Sequence, residues 1–322
     1  KRKNPIKPLN HYLNMRYTLR QLEIFVAISR LESVSKAADL LCLSQSATST
    51  SLGELERQFG VKLFDRIGKS LSINDAGSKL LPQALELIDR AKEIESELAG
   101  YAVSGDMHIG ATLTIGNYLT NLLVAKFLQN FPESRIKLQV QNTETIIKKV
   151  LSHELDIGMI EGDCDHPDLK IQPWIADELV IFCGPSHPLI NKKNVSLEDL
   201  LKESWVLREK GSGTRETFDR VFRNEQSKIN IKLELEHTEA IKSAVESSVG
   251  IGCISRLALK DELKTGSLIA LEVRNVKLDR YFNFLWSKNK YQTNGVRQFL
   301  KMCTDMTKGI QRSDQIDLPL IV

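Results

Sequence analysis

Apolar and polar residues from Thr18 to Leu55 recur with the period of amphipathic helices and predict three helices. Thr18 is the predicted N-cap of the first helix. The other two helices lie within Ser35 to Leu55 and are joined by a tight turn at Cys42-Leu43. Ser44 is the predicted N-cap of the last helix, because its hydroxyl can accept from a free N–H of the first turn. The predicted inward faces comprise Leu19, Leu22, Phe25, Val26 and Ser29 in the first helix, Ala37, Ala38, Leu40 and Leu41 in the second, and Ala47, Leu52 and Leu55 in the third.

The start of the third helix is polar, which suits a helix that enters the major groove of DNA. Small side chains let such a helix approach the base pairs, and amide and hydroxyl groups can bond base edges and phosphates. A hairpin follows, with strands at Leu63 to Arg66 and Leu71 to Ile73, and its basic tip suits contact with phosphates. An ordinary pair of helices with a solvated polar face would show the same residues. The candidate DNA-contacting residues are Ser35, Ser44, Gln45, Ser46, Thr48, Ser49, Thr50, Arg66 and Lys69.

Four blocks of this region resemble the LysR-type transcriptional regulators in their order and spacing. The blocks are LRQLEIFVAI at 19–28, AADLLCLSQSATS at 37–49, LGELERQFGVKLFDR at 52–66 and INDAG at 73–77. The chain departs from the family at Ser46, where proline is frequent, and at Thr50, where a basic residue is frequent. The resemblance therefore implies DNA binding by a winged helix-turn-helix without implying which DNA sequence is preferred. It also implies a homodimer or homotetramer, an inverted-repeat operator on double-stranded DNA, and contact with RNA polymerase.

A long helix with a charged outer side is predicted from Asn74-Asp75 onward. Its apolar residues alternate by four and three positions, which is the 3.5-residue period of a coiled coil. Pro82 is expected to kink the first turns or to mark the true start of the helix. The apolar seam can pack on the protein's own body or on a partner helix, and in the resembled family two such linker helices pair in the dimer. The seam consists of Leu80, Ala84, Leu87, Ala91, Ile94 and Leu98.

After a predicted hinge at 100–105, strands and helices alternate in a βαβαβ pattern that then repeats. This alternation predicts a parallel sheet covered by helices and divided between two α/β lobes. The effector domain of the resembled family has such lobes, which are similar to periplasmic binding proteins. We expect the chain to cross between the lobes near Ala176-Asp177-Glu178 and again near Leu278-Asp279-Arg280. The predicted divisions are a basic arm or an appended remnant at 1–15, a winged helix-turn-helix domain at 16–75, a linker helix at 76–104, an effector domain at 105–312 with lobe I at 105–177 and 279–312 and lobe II at 178–278, and a tail at 313–322.

Ligands of open α/β lobes bind at the carboxyl ends of strands, beside the N-termini of helices. Four such strand ends carry hydroxyls, amides and free N–H groups, which together can form a site for an anion. Each group is also explained by simple helix capping, so the prediction depends on their convergence in one cleft. We expect a small anionic effector, and the resemblance extends to the branch of the family that senses sulfur oxyanions such as sulfate or sulfite. The candidate effector-binding residues are Thr112, Thr114, Asn142, Thr143, Glu161, Arg208, Ser212, Gly213, Thr214, Arg215, Thr238 and Glu239.

Charge is unevenly distributed along the 322-residue chain, although the net charge is only +3. Residues 1–74 contain twelve Lys and Arg against six Asp and Glu, so this segment carries +6 and the remainder carries −3. A basic head on a mildly acidic body favours a nucleic-acid-binding module joined to a second domain.

The five cysteines are isolated and include no Cys-x-x-Cys pair, which indicates a reducing compartment and argues against structural zinc. No apolar run reaches the roughly 20 residues of a membrane helix, and no signal-peptide pattern occurs in the sequence. We therefore expect a cytoplasmic protein with no membrane partner.

Sequence motifs that would indicate catalysis are missing. The stretch at 211–214 lacks the Gly-Lys-Ser/Thr of a P-loop, and the Gly-Ile-Gly at 250–252 precedes a predicted strand instead of following one. The six histidines show no metal-ligand spacing, and no nucleophile elbow occurs. We expect no catalytic residue, no metal and no cofactor. Two other functions stay open: a thiol switch that uses Cys164 and Cys183, and a solute-binding protein, which conflicts with the basic winged head.

Overall fold

The structure is a computed structural model that describes residues 15–68, 70–100 and 105–317. The predicted arm before residue 15, Lys69 and the central part of the predicted hinge lie outside the described residues. Two compact units are present: the first comprises the residues up to Glu95 with Asn289–Tyr291, and the second comprises the remainder.

The first unit contains three helices, a hairpin and most of a long helix. A reciprocal capping box starts the first helix: the Thr18 hydroxyl accepts from Gln21 N at 3.2 Å, and the Gln21 side chain accepts from Thr18 N at 3.0 Å. Ser44 caps the third helix as predicted, because its hydroxyl accepts from Ala47 N at 3.2 Å. In chain order the elements are α1 Leu19–Leu31, α2 Val34–Leu40, α3 Gln45–Phe59, β1 Phe64–Ile67, β2 Ser70–Ile73 and α4 Asp75–Leu98.

Apolar side chains of these four helices and of the hairpin form one core, which makes the first unit a winged helix-turn-helix head. Leu22, Phe25 and Ile28 of α1 are buried in this core as the helical period requires. The prediction that Leu19 and Leu40 face inward is wrong, since they are 45% and 65% exposed. Each of them lies in a terminal turn of its helix, where no neighbouring element covers it.

The buried face of α3 differs from the predicted one. Ala47 is exposed, whereas Thr48 is fully buried. Thr48 lies four residues before Leu52 and seven before Leu55, so all three share one side of the helix. One side of α3 therefore faces the core from the first turn onward, and the polar start of the helix is buried on that side.

The long helix α4 begins directly after Asn74, whose side chain accepts from Gly77 N at 3.0 Å. Pro82 consequently lies inside the helix and does not mark its start. The predicted seam is divided between two environments. Ala84 is fully buried in the core of the head, which leaves it no surface for a partner helix, while Leu80 and Ala91 are half-buried. The exposed members of the seam are Leu87, Ile94 and Leu98.

The second unit alternates strands and helices as predicted. Its first part contains β3 Gly105–Ala111, then α5, in which the π-helical turn Gly116–Thr120 joins Leu113–Ile115 to Asn121–Asn130, then β4 Ser134–Val140, α6 Thr143–Leu151, β5 Ile157–Glu161 and β6 Leu169–Cys183. Its second part contains α7 Leu197–Leu200, β7 Ser204–Arg208, α8 Gly213–Val221, β8 Asn230–Leu235, α9 Thr238–Glu246, β9 Ile251–Ser255, α10 Lys260–Thr265, β10 Ile269–Ala270, β11 Asp279–Ser287 and α11 Asn294–Met306.

The strands of the second unit form a mixed sheet in the order β4-β3-β5-β11-β6-β9-β7-β8, with β10 paired to β6. The groups β4-β3-β5 and β8-β7-β9 are parallel, as the alternation predicts. Strands β6 and β11 run antiparallel to their neighbours, so the sheet as a whole is mixed and the predicted parallel pairing is limited to these two groups. β6 pairs with β11 from Leu169 to Glu178 and with β9 from Leu179 to Phe182, so one strand serves both lobes.

The first half of β6 was not predicted, and Pro173 explains the omission, because proline inside a run argues against a strand. The register against β11 shifts between Phe282 and Asn283, which face Ile175 and Pro173. Trp174 is therefore the extra residue of a bulge that accommodates the proline.

Residues 313–317, the described part of the predicted tail, do not behave as a tail. A short 3-10 turn spans Ser313–Gln315, and Ser313 and Ile316 are buried. Ile316 joins the apolar core of lobe I, and the Ser313 hydroxyl donates to Asp177. The effector unit thus extends at least to Ile316, since apolar burial and a buried hydrogen bond hold this segment in place.

Candidate functional site

The first turns of α3 and the tip of the hairpin form a polar face on the head. The Thr48 hydroxyl donates to Ser44 O at 3.0 Å, so Thr48 stabilises the start of α3 and is not available to DNA. Lys69 lies outside the described residues. The other predicted DNA-contacting residues are exposed, namely Ser35, Ser44, Gln45, Ser46, Ser49, Thr50 and Arg66.

A recess of about 290 Å³ lies between the hairpin and the starts of α2 and α3. It brings together Ser35, Gln45 and Arg66, which are distant in the sequence. Two further hydroxyls line it, from Ser33 and Ser70, and sequence reasoning missed both. Ser33 is recognisable in the sequence as the N-cap of α2, and its hydroxyl accepts from the third helical N–H at 3.3 Å. Hydroxyl, amide and guanidinium donors in one recess suit the phosphate oxygens of a nucleic acid.

Glu161 is the centre of the candidate effector site. It ends β5 in lobe I, and its side chain is 1% exposed. One carboxylate oxygen accepts from Thr114 N at 2.7 Å, at the start of α5. The other oxygen accepts from the Thr214 hydroxyl on α8 and from Arg280 Nη1 on β11, both at 3.0 Å. Donors from both lobes therefore converge on a single carboxylate; we call Thr114, Thr214, Arg280 and Glu161 the carboxylate cradle.

The charges around the cradle keep Glu161 ionised. Burial alone would raise the pKa of this carboxyl, but the Arg280 and Arg208 guanidiniums and the hydrogen bonds from Thr114 outweigh burial and lower that pKa to about 2. Arg208 is itself buried and is held by Glu209, to whose oxygens it donates at 2.8 and 3.0 Å. Each guanidinium near Glu161 thus already has a carboxylate partner within the protein.

Arg280 connects Glu161 to a second buried carboxylate. Its Nε donates to Asp177 at 2.7 Å, and Asp177 also accepts from the hydroxyls of Ser255 and Ser313. Burial would lower the pKa of Arg280, but the two carboxylates outweigh it and raise that pKa. Within the described part of the chain, Arg280 Nη2 is buried and has no hydrogen-bond partner. One donor of the guanidinium is therefore left for a further acceptor.

The two lobes meet closely beside the cradle. Gly213 N donates to the Thr143 hydroxyl oxygen at 3.0 Å, and Glu144 N donates to Gly211 O at 3.2 Å. A Cβ on Gly213 would lie 2.1 Å from Glu161 O, so only glycine permits this approach. The cleft predicted between the lobes is closed here, and the Glu161 side chain fills the place where the donors converge.

Several predicted effector residues meet in this region of the structure. Three more hydroxyl residues from the predicted strand ends are buried, each 2% exposed: Thr112, Ser212 and Thr238. Ser212 precedes α8 as an N-cap by position, but its hydroxyl makes no capping hydrogen bond. The predicted residues that contact the carboxylate, or one another beside it, are Thr114, Thr143, Glu161, Gly213 and Thr214. Arg208 acts on the carboxylate through its charge.

Three predicted effector residues have other partners. Arg215 donates to Asp219 at 2.9 Å, to Glu234 at 2.7 Å and to a main-chain carbonyl of lobe II, so its charge is neutralised away from the cradle. Glu239 binds the Tyr118 hydroxyl and Lys242 on a different part of the lobe interface. Asn142 is the N-cap of α6, and its side chain accepts from a main-chain N–H at 3.0 Å.

Sequence reasoning missed Arg280 and Asp177, which hold the site together. Both were placed at the predicted lobe crossovers, but no role was assigned to them. The available signal was a charged residue next to a strand of large apolar residues, as at Arg280 before Tyr281 to Trp286. A charge in such a place is buried, and a buried charge requires a partner.

Two absences concern the residues that the structure describes. Among them, no cluster of three or more His, Cys, Asp and Glu is arranged to hold a metal ion. In the same part of the chain, no helix combines the length and the apolar character that crossing a membrane requires.

A basic winged head joined to a two-lobed α/β domain with a buried polar cradle defines a DNA-binding regulator with a small-molecule domain. The family model "Bacterial regulatory helix-turn-helix protein, lysR family" matches residues 19–78, and the model "LysR substrate binding domain" matches residues 102–308. The chain therefore belongs to the LysR-type transcriptional regulators, which confirms the resemblance, and it is not an enzyme.

Individual relatives agree with this assignment. The chain is 40% identical to the uncharacterized HTH-type transcriptional regulator YeiE of Escherichia coli, over 90% of this chain and 98% of that protein. A full-length OxyR variant from Pseudomonas aeruginosa matches with a TM-score of 0.69 at 20% identity, covering 91% of this chain and 95% of that one. The regulatory domain of Synechocystis CcmR in complex with 2-PG matches with a TM-score of 0.60 at 27% identity, covering 65% of this chain and 100% of that domain.

Proposed function

We propose that this regulator binds an inverted-repeat DNA operator and that a small anion, bound at the carboxylate cradle, tunes this binding. The observation that carries the proposal is the coordination of Glu161. Hydroxyl, main-chain N–H and guanidinium donors from both lobes already hold a carboxylate there. A set of donors that binds one buried anion is suited to bind another, and sulfate and sulfite are the ligands we propose to test first.

The position of the cradle supports a regulatory role. Thr114 belongs to lobe I, Thr214 to lobe II, and Arg280 to a strand paired with β6, which serves both lobes. An anion that enters must take donors from Glu161 and thereby change how the lobes are joined. By linkage, the anion changes the affinity for DNA only if it binds one arrangement of the lobes more tightly than the other. The CcmR regulatory domain, solved with 2-PG, supports a small-molecule effector in a related domain.

Self-association through α4 is part of the proposal. Leu87, Ile94 and Leu98 expose apolar surface, and an apolar groove of about 320 Å³ that includes Phe59 and Val61 lies at the base of the same helix. A homodimer or homotetramer would cover this surface and would place two reader helices on two half-sites of the operator. The proposal also places the protein in the cytoplasm and includes contact with RNA polymerase.

A thiol switch is the second candidate, and the structure favours it less. Burial raises the pKa of Cys164, and burial raises the pKa of Cys183 to about 11. Since the thiolate is the reactive form, raised pKa values disfavour rapid oxidation of either residue.

The test is thermal unfolding of the full-length protein with sulfate, sulfite, thiosulfate, phosphate, nitrate and small carboxylates. A specific effector should raise the melting temperature in a saturable way. At a ligand concentration one hundred times its Kd, the free energy of unfolding should increase by about 2.7 kcal/mol. Thr214→Val removes the hydroxyl that binds Glu161 and should reduce this shift. Thr217→Val is the matched control, because its buried hydroxyl donates to Gly213 O one turn further along the same helix.

The proposed effect of the anion on DNA binding is tested by electrophoretic mobility shift. The DNA is a duplex selected with the wild-type protein. The anion that stabilises the protein should change the apparent Kd for this duplex, and Thr214→Val should respond less than Thr217→Val. Equal responses of the two variants would indicate that the effector binds outside the cradle. Stabilisation by oxidant alone, with none by any anion, would favour the thiol switch.

A further inference from the structure

The segment that follows α11 contacts both lobes of the effector domain; we call residues 312–316 the strap. Its end is anchored in lobe I, where Ile316 is buried in the apolar core. Arg312 forms an isolated parallel bridge with Ala176, which begins the crossover from lobe I to lobe II. From lobe II, Lys260 Nζ donates to Ile316 O at 3.4 Å. The strap therefore joins the two lobes at the place where the chain crosses between them.

A single oxygen of Asp177 links the strap to lobe II. This oxygen, Oδ1, accepts from the Ser255 hydroxyl at the end of β9, at 2.7 Å, and from the Ser313 hydroxyl of the strap. The three residues are buried, with exposures of 0% to 2%. A carboxylate oxygen has two lone pairs, and these two donors use both of them. Without the Ser313 hydroxyl, the buried oxygen would lack one donor, which only water entering between the crossovers could replace.

The next residue of the crossover repeats this arrangement closer to the surface. Glu178 Oε2 accepts from Arg256 Nε at 2.8 Å and from Arg312 Nη1 of the strap at 2.9 Å. A residue of the strap again shares its acceptor with a residue that follows β9. These three side chains are 27% to 41% exposed, so water weakens their interaction. The buried contact at Asp177 is therefore the stronger of the two.

We propose that the strap is a clasp that holds the two lobes in their closed arrangement. Ile316 fixes the strap to lobe I, and Ser313 and Arg312 share their acceptors with donors of lobe II. Rotation of lobe II about the crossovers must therefore break contacts in which the strap takes part. Packing of lobe I alone would account for Ile316, but it does not require the two polar contacts at the crossover.

The clasp sets the balance between closed and open lobes before any ligand arrives. A ligand that opens the cleft must overcome the contacts of the strap, and a ligand that binds the closed lobes is assisted by them. This inference does not depend on the identity of the effector or on the proposed anion site.

Another part of the lobe interface provides a reporter of closure. Glu144 N donates to Gly211 O at 3.2 Å, and Gly213 N donates to the Thr143 hydroxyl oxygen at 3.0 Å. Both hydrogen bonds run from one lobe to the other, and both are distant from the strap in the sequence. Exchange of these two amides with solvent therefore reports opening of the lobes, whereas local loosening of the strap would accelerate exchange only in the strap and the crossover.

The test is hydrogen–deuterium exchange of the full-length protein without ligand, followed by mass spectrometry of peptides that contain the reporter amides. Ser313→Ala removes the hydroxyl that the strap donates and should accelerate exchange of Glu144 and Gly213 by about three- to tenfold. Thr304→Val is the matched control, because the Thr304 hydroxyl donates to Leu300 O within α11. This variant should leave both amides at the wild-type rate.

Arg312→Met is the second variant, since it removes the more exposed contact of the strap. It should accelerate the same two amides by less than about threefold, because an exposed ion pair contributes little. Amides in the centre of β5 should keep the wild-type rate in both variants, which separates opening of the lobes from unfolding of the domain.

Two results would overturn the clasp. The first is wild-type exchange of Glu144 and Gly213 in both strap variants, with acceleration confined to the strap and the crossover. The second is equal acceleration by Thr304→Val, because any loss of stability in lobe I would then open the lobes. The comparison of Arg312→Met with wild type decides the matter even if Ser313→Ala does not fold. Neither result bears on the proposed anion site, since no ligand is present in the measurement.

Discussion

The head and the effector domain place their functional polar groups in opposite ways. On the head, Gln45, Ser46 and Ser49 are exposed above an apolar core, and they contribute nothing to that core. In the effector domain, Glu161 and Arg280 are buried and bind each other. The head can therefore meet DNA without disturbing the packing of its apolar core. A ligand of the effector domain must replace bonds that hold the domain together, and this couples binding to conformation.

The largest expected effect comes from removing the charge that joins the two buried carboxylates. Arg280→Met leaves Glu161 and Asp177 buried without their cation, so we expect a loss of about 3–5 kcal/mol in the free energy of unfolding. Urea denaturation followed by tryptophan fluorescence measures it, because Trp174, Trp205 and Trp286 all lie in the second unit.

The control for this change is Arg220→Met. Arg220 pairs with Asp163 on the surface, with side-chain exposures of 47% and 72%. Loss of an exposed pair should cost less than about 1 kcal/mol. Similar losses for Arg280→Met and Arg220→Met would mean that the cradle is hydrated and that its buried charges are not coupled as described.

The same contrast explains which features the sequence revealed. The caps of the head are local, since Thr18 and Gln21 or Ser44 and Ala47 are three residues apart, and a short pattern is sufficient to find them. The pairing of Glu161 with Arg280 joins positions 119 residues apart, and no local pattern contains it. Strand ends with polar groups were predictable, as at Thr114, Glu161 and Thr214, but the guanidinium of Arg280 that joins Glu161 to Asp177 had no assigned role.

Errors within the predicted elements have physical causes of their own. Thr48 was assigned to DNA because its side chain is polar, although its position in the helical turn places it with Leu52 on the core side. Its hydroxyl satisfies its hydrogen-bonding need locally, by donating to Ser44 O, and this allows a polar side chain to be buried. The first half of β6 was not predicted because Pro173 argues against a regular strand. A bulge opposite Phe282 and Asn283 accommodates this proline within the strand.

Acid should weaken the effector domain through Glu161. The folded-state pKa, about 2, lies below the ordinary glutamate value near 4.3, so the ionised carboxylate stabilises the folded state. This contribution, roughly 3 kcal/mol, is fully present above the ordinary value and is lost as the pH falls toward 2. Denaturation of wild type and Glu161→Gln from pH 6 to pH 2 should show their difference in free energy shrinking in that window. A constant difference across the window would contradict an ionised Glu161 in the folded protein.

The smallest expected effects concern neighbouring residues of α3. Gln45 is exposed beside the recess, so Gln45→Ala should weaken binding to a selected duplex by about 1–3 kcal/mol and leave unfolding unchanged. Thr48 is buried, so Thr48→Val should lower the free energy of unfolding by about 0.5–1.5 kcal/mol, because only the hydrogen bond to Ser44 O is lost. Mobility shifts and circular-dichroism melts of both variants provide the two readouts.

The pair separates recognition from support within a single helix. Thr48→Val should bind the duplex like the wild type at temperatures well below its melting transition. A contrary result would be an affinity for DNA that falls as far with Thr48→Val as with Gln45→Ala while the protein remains folded. That result would indicate that Thr48 contacts DNA. The same result would show that α3 does not hold the orientation that its buried side, through Leu52 and Leu55, imposes.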